Sequence, residues 1–196
     1  MRPRFVQLFA SCAVLGIGVG LLLRAAVGSD GYSTLINGIT LALSVPFVVV
    51  NCVVGLIFVA VAWARGLRPG WGTLVQPVVV GATVTAVLAI IDAPHPILVR
   101  VLLLLAVAFP VLVVGVAGYL GSGAGAGPTE AAALAFDPPV PFRWSYSVVQ
   151  AGGALTGWAL GAAAGPGTLI VIFLLGPAVD LVSRRARFLD IHAAAR

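Results

Sequence analysis

The chain has 196 residues, of which 61% are hydrophobic and 9% are charged, and its mean hydropathy is +1.14. Soluble domains carry about a quarter charged residues, so this composition excludes a soluble protein and leaves no room for a soluble domain. The net charge of +5 comes from eleven arginines and no lysine. With the many Ala, Gly and Val residues, this indicates a GC-rich bacterial genome, and topology explains the charge better than nucleic-acid binding does.

Six apolar runs have nearly the 20 or so residues that a helix needs to cross a bilayer. They cover residues 5–26, 46–64, 72–91, 97–119, 144–162 and 167–183. The charge-free part of the first run, Phe5 to Leu23, is longer than the hydrophobic region of a secretory signal, so we expect a mature helix there. The sequence therefore predicts an all-α, polytopic membrane bundle of about six transmembrane helices.

The arginines predict the orientation of these spans. With a cytoplasmic N-terminus, six crossings leave only Arg24 and Arg100 outside and place nine arginines inside. The nine are Arg2, Arg4, Arg65, Arg68, Arg143, Arg184, Arg185, Arg187 and Arg196. We therefore expect a multi-pass protein of the bacterial inner membrane with both termini cytoplasmic. A basic tail, residues 184–196, would lie against anionic headgroups.

The chain also repeats itself at an interval of 95 residues. The motifs W-A-R-G at 63–66 and G-W-G-T-L at 70–74 recur as W-A-L-G at 158–161 and G-P-G-T-L at 165–169. Trp occurs only four times, so a matched pair in register with several glycines indicates an internal duplication. Three crossings per copy is an odd number, which predicts two inverted membrane repeats, residues 1–93 and 94–183, followed by the tail.

Each copy contains a short segment that does not span, residues 32–45 in the first and 128–136 in the second. A glycine-rich turn precedes each segment, and a proline follows it. Ser33 and Thr129 fall near the start of these segments, where short polar side chains can satisfy free backbone donors. We expect at least one of the two to be a broken or re-entrant helix that enters the membrane and stops.

Five polar residues are candidates for a substrate-binding site: Glu130, Asn37, Ser33, Thr129 and Gln150. A carboxylate at membrane depth is costly and is a functional hypothesis by default, although at the membrane surface Glu130 would be only a solvated charge. Asn37 and Gln150 are equally explained by hydrogen bonds between helices. If a site exists, we expect Glu130 to border a water-accessible cavity shared with Asn37 or another polar side chain of the first half.

The glycine motifs carry a resemblance to a known group of proteins. G-A-G-P-T-E at 125–130 is similar to a G-x-G-P-R-D element, and G-T at 167–168 with G-P at 176–177 is similar to the pair that follows it. On these motifs the chain resembles the uncharacterised bacterial membrane proteins of the YczE/YitT type. Ser33 stands where that family tends to have an acidic residue, and the resemblance implies no particular activity.

Two further sets of residues concern packing and chemistry. Glycines at every fourth position predict flat helix faces for close contact, either within the chain or with a second copy or a partner membrane protein. These glycines are Gly16 and Gly20 in the first span and Gly153, Gly157 and Gly161 in the fifth. We interpret Cys12 and Cys52 as small buried hydrophobes. His95 and His192 fall in a loop and in the tail, and no metal, cofactor or enzyme motif is present, so we expect no enzyme.

We expect a small secondary transporter or channel-like protein for an unknown small solute, because paired broken segments are typical of transporters. One alternative is a non-transporting membrane scaffold or assembly partner, which the small number of intramembrane charges favours. A second alternative is the substrate-binding subunit of a modular vitamin importer. The lipid bilayer is the one partner that the composition itself requires.

Overall fold

The computed structural model describes residues 2–92 and 96–185, and all regular structure within these ranges is helical. Eight helices follow one another: α1 (Arg2–Ala25), α2 (Gly31–Leu43), α3 (Phe47–Ala64), α4 (Trp71–Ile90), α5 (Ile97–Gly121), α6 (Pro128–Leu134), α7 (Phe142–Ala159) and α8 (Pro166–Ser183). Helix α5 includes a π-helical stretch at Leu103–Ala108. Pro110 follows this stretch and lacks the N–H that would continue the regular hydrogen bonds.

Five helices are long and apolar enough to cross a membrane: α1, α3, α4, α5 and α8. They correspond to five of the six predicted spans. The sixth, predicted at 144–162, is the 18-residue helix α7, which ends earlier, at Ala159. Its N-terminal half contains Arg143, Tyr146 and Gln150, and these polar groups lower its hydropathy below that of the other five long helices. Helix α7 is thus long enough to span a membrane, but it is less apolar than the other five long helices.

Helix α1 packs between α4 and α5, and glycines set both contacts. A Cβ added at Gly18 would lie 2.7 Å from Leu112 Cα, and one at Gly115 would lie 2.6 Å from Leu15 Cα. Since later residues of α1 meet earlier residues of α5, the two helices run antiparallel. Gly16 and Gly20 lie against successive turns of α4, so α1 and α4 run parallel.

The two short helices pack between the longer ones. Helix α2 runs parallel to α7, with Gly31 against the backbone of Gln150 and Gly38 against that of Gly157. Because Gln150 is midway along α7, α2 begins halfway along its neighbour. Helix α6 packs against α3. Arg65, which follows the end of α3, donates a hydrogen bond from Nε to the carbonyl of Ala135, which follows the end of α6, over 3.3 Å.

Two glycine-rich turns cross over to helices of the other half of the chain. The turn after α5 lies on the start of α4, where Gly72 N donates to the Ala124 carbonyl over 2.8 Å. The turn after α1 lies on the start of α8 in the same way, where Gly167 N donates to the Val27 carbonyl over 2.9 Å. Each bond satisfies one of the free backbone donors at the start of its helix.

Four of the five glycines predicted to form packing faces contact helices of the same chain. Gly16 and Gly20 lie against α4, and Gly153 and Gly157 lie against α2. Gly161 is different, because it follows the end of α7 with a φ of +97° and a Cβ there would meet nothing within 4 Å. It ends the helix instead of extending the face, since a residue in the left-handed region terminates helical bonding.

The remaining sequence predictions about single residues concern cysteines, histidines and the tail. Cys12 is fully buried in α1, Cys52 is partly buried in α3, and both are free thiols. His95, His192 and most of the basic tail lie outside the described residues.

Candidate functional site

A cavity of about 90 Å³ lies where the N-terminal turns of α2 and α6 approach each other. All eight helices contribute to its lining. The polar lining residues are Asp30, Tyr32, Ser33, Asn51, Gln76, Tyr119, Thr129, Glu130, Tyr146 and Gln150. The cavity is therefore a mixed polar and apolar space at the centre of the helix packing, with room for about three water molecules.

Asp30 contributes a carboxylate at the start of α2. It is the N-cap residue, and its Oδ2 accepts a hydrogen bond from Ser33 N at 2.9 Å. Its Oδ1 accepts one from the Ser29 hydroxyl at 3.2 Å. An aspartate is among the best N-caps because its oxygen satisfies a backbone donor that the helix leaves free. This geometry fixes the carboxylate at the cavity wall.

Glu130 contributes the second carboxylate, from the first turn of α6. Gly127 is the N-cap of this helix, Pro128 is its first residue and Glu130 is its third. Because Gly127 has no side chain, two oxygens approach its Cα. A Cβ at Gly127 would lie 2.4 Å from Gln76 Oε1 and 2.5 Å from Glu130 Oε2. A larger residue at position 127 would fill the space that these oxygens occupy.

Amide and hydroxyl side chains hold the rest of the wall in place. Gln150 connects α7 to α2, since its Oε1 accepts a bond from Tyr32 N at 3.1 Å and its Nε2 donates to the Tyr146 hydroxyl at 2.8 Å. Asn51 Nδ2 donates to the Pro77 carbonyl at 2.7 Å. These bonds fix the orientation of buried amides that would otherwise be costly to desolvate.

Four of the five predicted site residues line this cavity: Ser33, Thr129, Glu130 and Gln150. Asn37 is not among the lining residues, and its role in binding stays a prediction. It lies on the same helix as Ser33 but one turn further on, about 6 Å along the axis at 1.5 Å per residue. The cavity reaches only the first turn of α2, so its polar contact from the first half comes from Asp30 and Ser33 instead.

Several lining residues were not among the predicted site residues. Asp30 and Tyr119 are two of them. One signal was present in the sequence: the chain has three tyrosines in all, and each of them lines this cavity. The position of Asp30 immediately before a Gly-Tyr-Ser-Thr helix start was a second signal, because such a residue is a typical N-cap.

The charge of the lining is one-sided. Asp30 and Glu130 are its two carboxylic acids, and no arginine of the described residues is among the lining residues. Within the part of the chain that the structure describes, no three His, Cys, Asp or Glu side chains come together as metal ligands would. The site thus presents two carboxyl groups and several hydrogen-bonding side chains to any molecule that enters it.

The chain matches the model of a family of unknown function (DUF6198) over residues 3–184. It belongs to this family. The match covers all eight helices almost completely, so the cavity and both short helices lie inside the matched region. Comparisons with curated proteins and with solved structures gave no match. The similarity to proteins of the YczE/YitT type stays a prediction.

Proposed function

We propose that this membrane protein is a small secondary transporter or channel-like protein that takes a small solute into the cavity between α2 and α6. The observation that carries the proposal is that two short helices point their N-terminal turns at one cavity, half of whose lining residues are polar, inside a bundle of apolar helices. Irregular backbone at membrane depth is tolerated where it lines such a cavity, and transporters place their binding sites at broken helices.

Pseudo-symmetry of the lining supports two inverted repeats around this cavity. Leu15 packs on Gly115, and Leu112 packs on Gly18. The two leucines, Leu15 and Leu112, are 97 positions apart in the sequence, and so are the two glycines, Gly18 and Gly115. Exchanging each residue for its equivalent turns the Leu15–Gly115 contact into the Leu112–Gly18 contact. A two-fold axis produces this reciprocal pair of contacts.

Further pairs of lining residues follow the same relation. Ser33 and Glu130 share the 97-residue interval, whereas Asn51 and Tyr146 share the 95-residue interval of the later helices, and both pairs line the cavity. The cavity would thus lie on the axis. Because α1 and its counterpart α5 run antiparallel, the axis would lie in the membrane plane, which is the inverted arrangement.

We further propose that α7 is the sixth crossing. Its bounds, Phe142–Ala159, are those of α3, Phe47–Ala64, displaced by 95 positions at both ends. Its buried residues Gln150, Gly153 and Gly157 face the bundle, so part of its polarity is sheltered from lipid. A crossing helix can carry such groups when they face protein.

Six crossings return both termini to one side, which we propose is the cytoplasmic face of the bacterial inner membrane. On that side, Arg65 and Arg68 lie just before the start of α4, and Arg184 and Arg185 follow the end of α8. Arg24 lies at the opposite end of α1, where it donates to the Leu88 carbonyl. This distribution agrees with the positive-inside rule.

Solute binding explains the cavity better than a scaffold role or enzyme chemistry does. A scaffold needs an outward-facing surface, whereas the polar groups of this protein converge on an internal space. The lining carries carboxylates, amides and hydroxyls without a nucleophile and base pair of the kind that covalent catalysis uses. We therefore propose binding and passage of a solute, not its conversion.

Access to the cavity from the two membrane faces tests this function. The test uses Ser33→Cys in a background in which Cys12 and Cys52 are replaced by alanine, with a membrane-impermeant thiol reagent added to either side of sealed vesicles. Ser33 lines the cavity, whereas its neighbour Thr34 is fully buried against protein and gives the matched control Thr34→Cys.

We expect Ser33→Cys to react from each side in turn and Thr34→Cys to react from neither. Reaction from one side only would indicate a binding site without passage. Absence of reaction from both sides, in a variant that elutes and unfolds like the parent, would refute the proposed function.

A further inference from the structure

Two side-chain oxygens meet beside Gly127 at the cavity wall. Gln76 Oε1 is buried and has no hydrogen-bond partner in the described part of the chain, and it lies beside Gly127 together with Glu130 Oε2. No other described residue donates a hydrogen bond to that carboxylate. Two acceptors that face one small space need a donor between them, because a buried acceptor without a donor costs free energy.

Two hydroxyls face the same space without partners of their own. The side chain of Thr129 is 6% exposed and that of Ser33 is 5% exposed, and neither hydroxyl makes a hydrogen bond to another described residue. Polar groups buried to this extent are nearly always satisfied by protein, by water or by a ligand. Their position on the cavity wall leaves both hydroxyls able to bond to a molecule held in the cavity.

The helix N-termini at the cavity do not make it an anion site. The N-terminus of a helix attracts negative charge, but here each short helix already has a carboxylate in its N-terminal turn. Asp30 is hydrogen-bonded to the first turn of α2, and Glu130 belongs to the first turn of α6. These two groups compensate the positive ends of the helices, and an anion would meet both of them.

Aromatic side chains complete the wall. Tyr32, Tyr119 and Tyr146 all line the cavity, and Tyr119 is fixed by a hydrogen bond from its hydroxyl to the Gly125 carbonyl at 2.9 Å. Tyrosine rings beside carboxylates are a common environment for bound cations, since the ring face attracts positive charge. The 90 Å³ volume limits the occupant to a few heavy atoms.

We propose that the cavity binds a compact organic cation with several N–H donors, of the guanidinium or primary ammonium type, between Asp30, Glu130 and Gln76. The cation would donate to the unpaired oxygens, and its charge would balance the two carboxylates. This inference deepens the proposed function, since it names the class of solute for the same site.

Three planar molecules of nearly equal size test the proposal: guanidinium, urea and nitrate. They differ mainly in charge, which is positive, zero and negative. The measurements are uptake of each labelled molecule into vesicles that contain the protein, relative to protein-free vesicles, and equilibrium binding to the detergent-solubilised protein. Concentrations stay in the low millimolar range, far below those at which guanidinium denatures proteins.

We expect binding and uptake of guanidinium in clear preference to urea and nitrate. Asp30→Asn and Glu130→Gln should each lower guanidinium binding by about thirtyfold or more, because each removes one charge of a buried charge pair. Asn is also a good N-cap, so Asp30→Asn keeps the start of α2 intact. Asp92→Asn is the matched control, since Asp92 is exposed and lies away from the cavity.

The outcomes separate this inference from the proposed function. If Ser33→Cys reacts from both sides but nitrate or urea binds as well as guanidinium, the cavity conducts a solute and the cation inference is overturned. Equal guanidinium binding by the parent, Asp30→Asn and Glu130→Gln also overturns it. If Ser33→Cys does not react, passage is refuted, and guanidinium binding to the solubilised protein still decides whether the site is cationic.

Discussion

The crossing of α1 and α5 provides the sharpest test of how this bundle is held together. Alanine at Gly18 would place a methyl group 2.7 Å from Leu112 N and Cα, and alanine at Gly115 would place one 2.5 Å from Leu15 N. These neighbours are backbone atoms, which cannot rotate away, so the two helices must separate. Overpacking of this kind typically costs about 1–3 kcal/mol.

The matched control is Gly152→Ala in α7, where a Cβ would meet nothing within 4 Å. Alanine in an open helical position stabilises the fold by about 0.5–1 kcal/mol relative to glycine. All three variants receive this gain, and only Gly18→Ala and Gly115→Ala also have the packing cost. We expect them to be about 1–3 kcal/mol less stable than Gly152→Ala in a denaturing-detergent titration followed by helical circular dichroism.

The double variant Gly18→Ala with Gly115→Ala tests the symmetry of the contact. Helices that have separated to admit one methyl group already leave room for the second, so the two losses should sum to more than the loss in the double variant. Fully additive losses would mean that the two glycines act at independent contacts. Stability equal to that of Gly152→Ala would refute the close crossing itself.

Three further predictions concern single hydrogen bonds, measured by the same titration. Thr73→Val should destabilise by about 1 kcal/mol, because its buried hydroxyl donates over 2.6 Å to the Ala126 carbonyl in the turn after α5. Thr168→Val should cost less, because the Thr168 hydroxyl only accepts a 3.4 Å bond from Gly165 N. Asp30→Ala should cost about 1 kcal/mol through loss of the N-cap, whereas Asp30→Asn should be nearly neutral. Asn51→Leu should cost about 1–3 kcal/mol, because it leaves a buried carbonyl without its donor.

The sequence was sufficient for the long helices because hydropathy and length are local properties. Five predicted spans agree with helices α1, α3, α4, α5 and α8. The glycine and proline signals around residues 28–31 and 125–128 also located the two short helices to within a few residues. For helix α7, the sequence alone is not sufficient to predict a crossing. Its polar residues can lie within a membrane only if α2 shelters them from lipid, and that contact forms only in the folded bundle.

The candidate site was only partly predictable for a related reason. Ser33 and Asn37 are four residues apart and share one face of α2, so helical periodicity could not separate them. What separates them is depth, since α2 begins beside the middle of α7 and only its first turn meets the cavity. Asp30 was missed because a residue after an apolar run is normally at the membrane surface, whereas this turn folds back between helices.

In the proposed repeats, the two halves would place their carboxylates at different positions of equivalent turns. The first half has Asp30 as N-cap and Ser33 as third residue, whereas the second has Gly127 as N-cap and Glu130 as third residue. Side chains at these two positions serve the same few backbone donors, as the reciprocal bonds of a capping box illustrate. The absence of an acid at position 33 therefore does not remove the acid from the first half.

This equivalence gives a final prediction. The double variant Asp30→Gly with Ser33→Glu rebuilds the pattern of the second half in the first half, so the cavity keeps two carboxylates near two helix starts. We expect it to bind guanidinium nearly as well as the parent, whereas Asp30→Gly alone should lose most of the binding. Glycine is a tolerated N-cap, which keeps the fold comparable in the two variants. If the double variant binds no better than Asp30→Gly alone, the site requires the particular geometry of Asp30 and not merely a second negative charge at the start of α2.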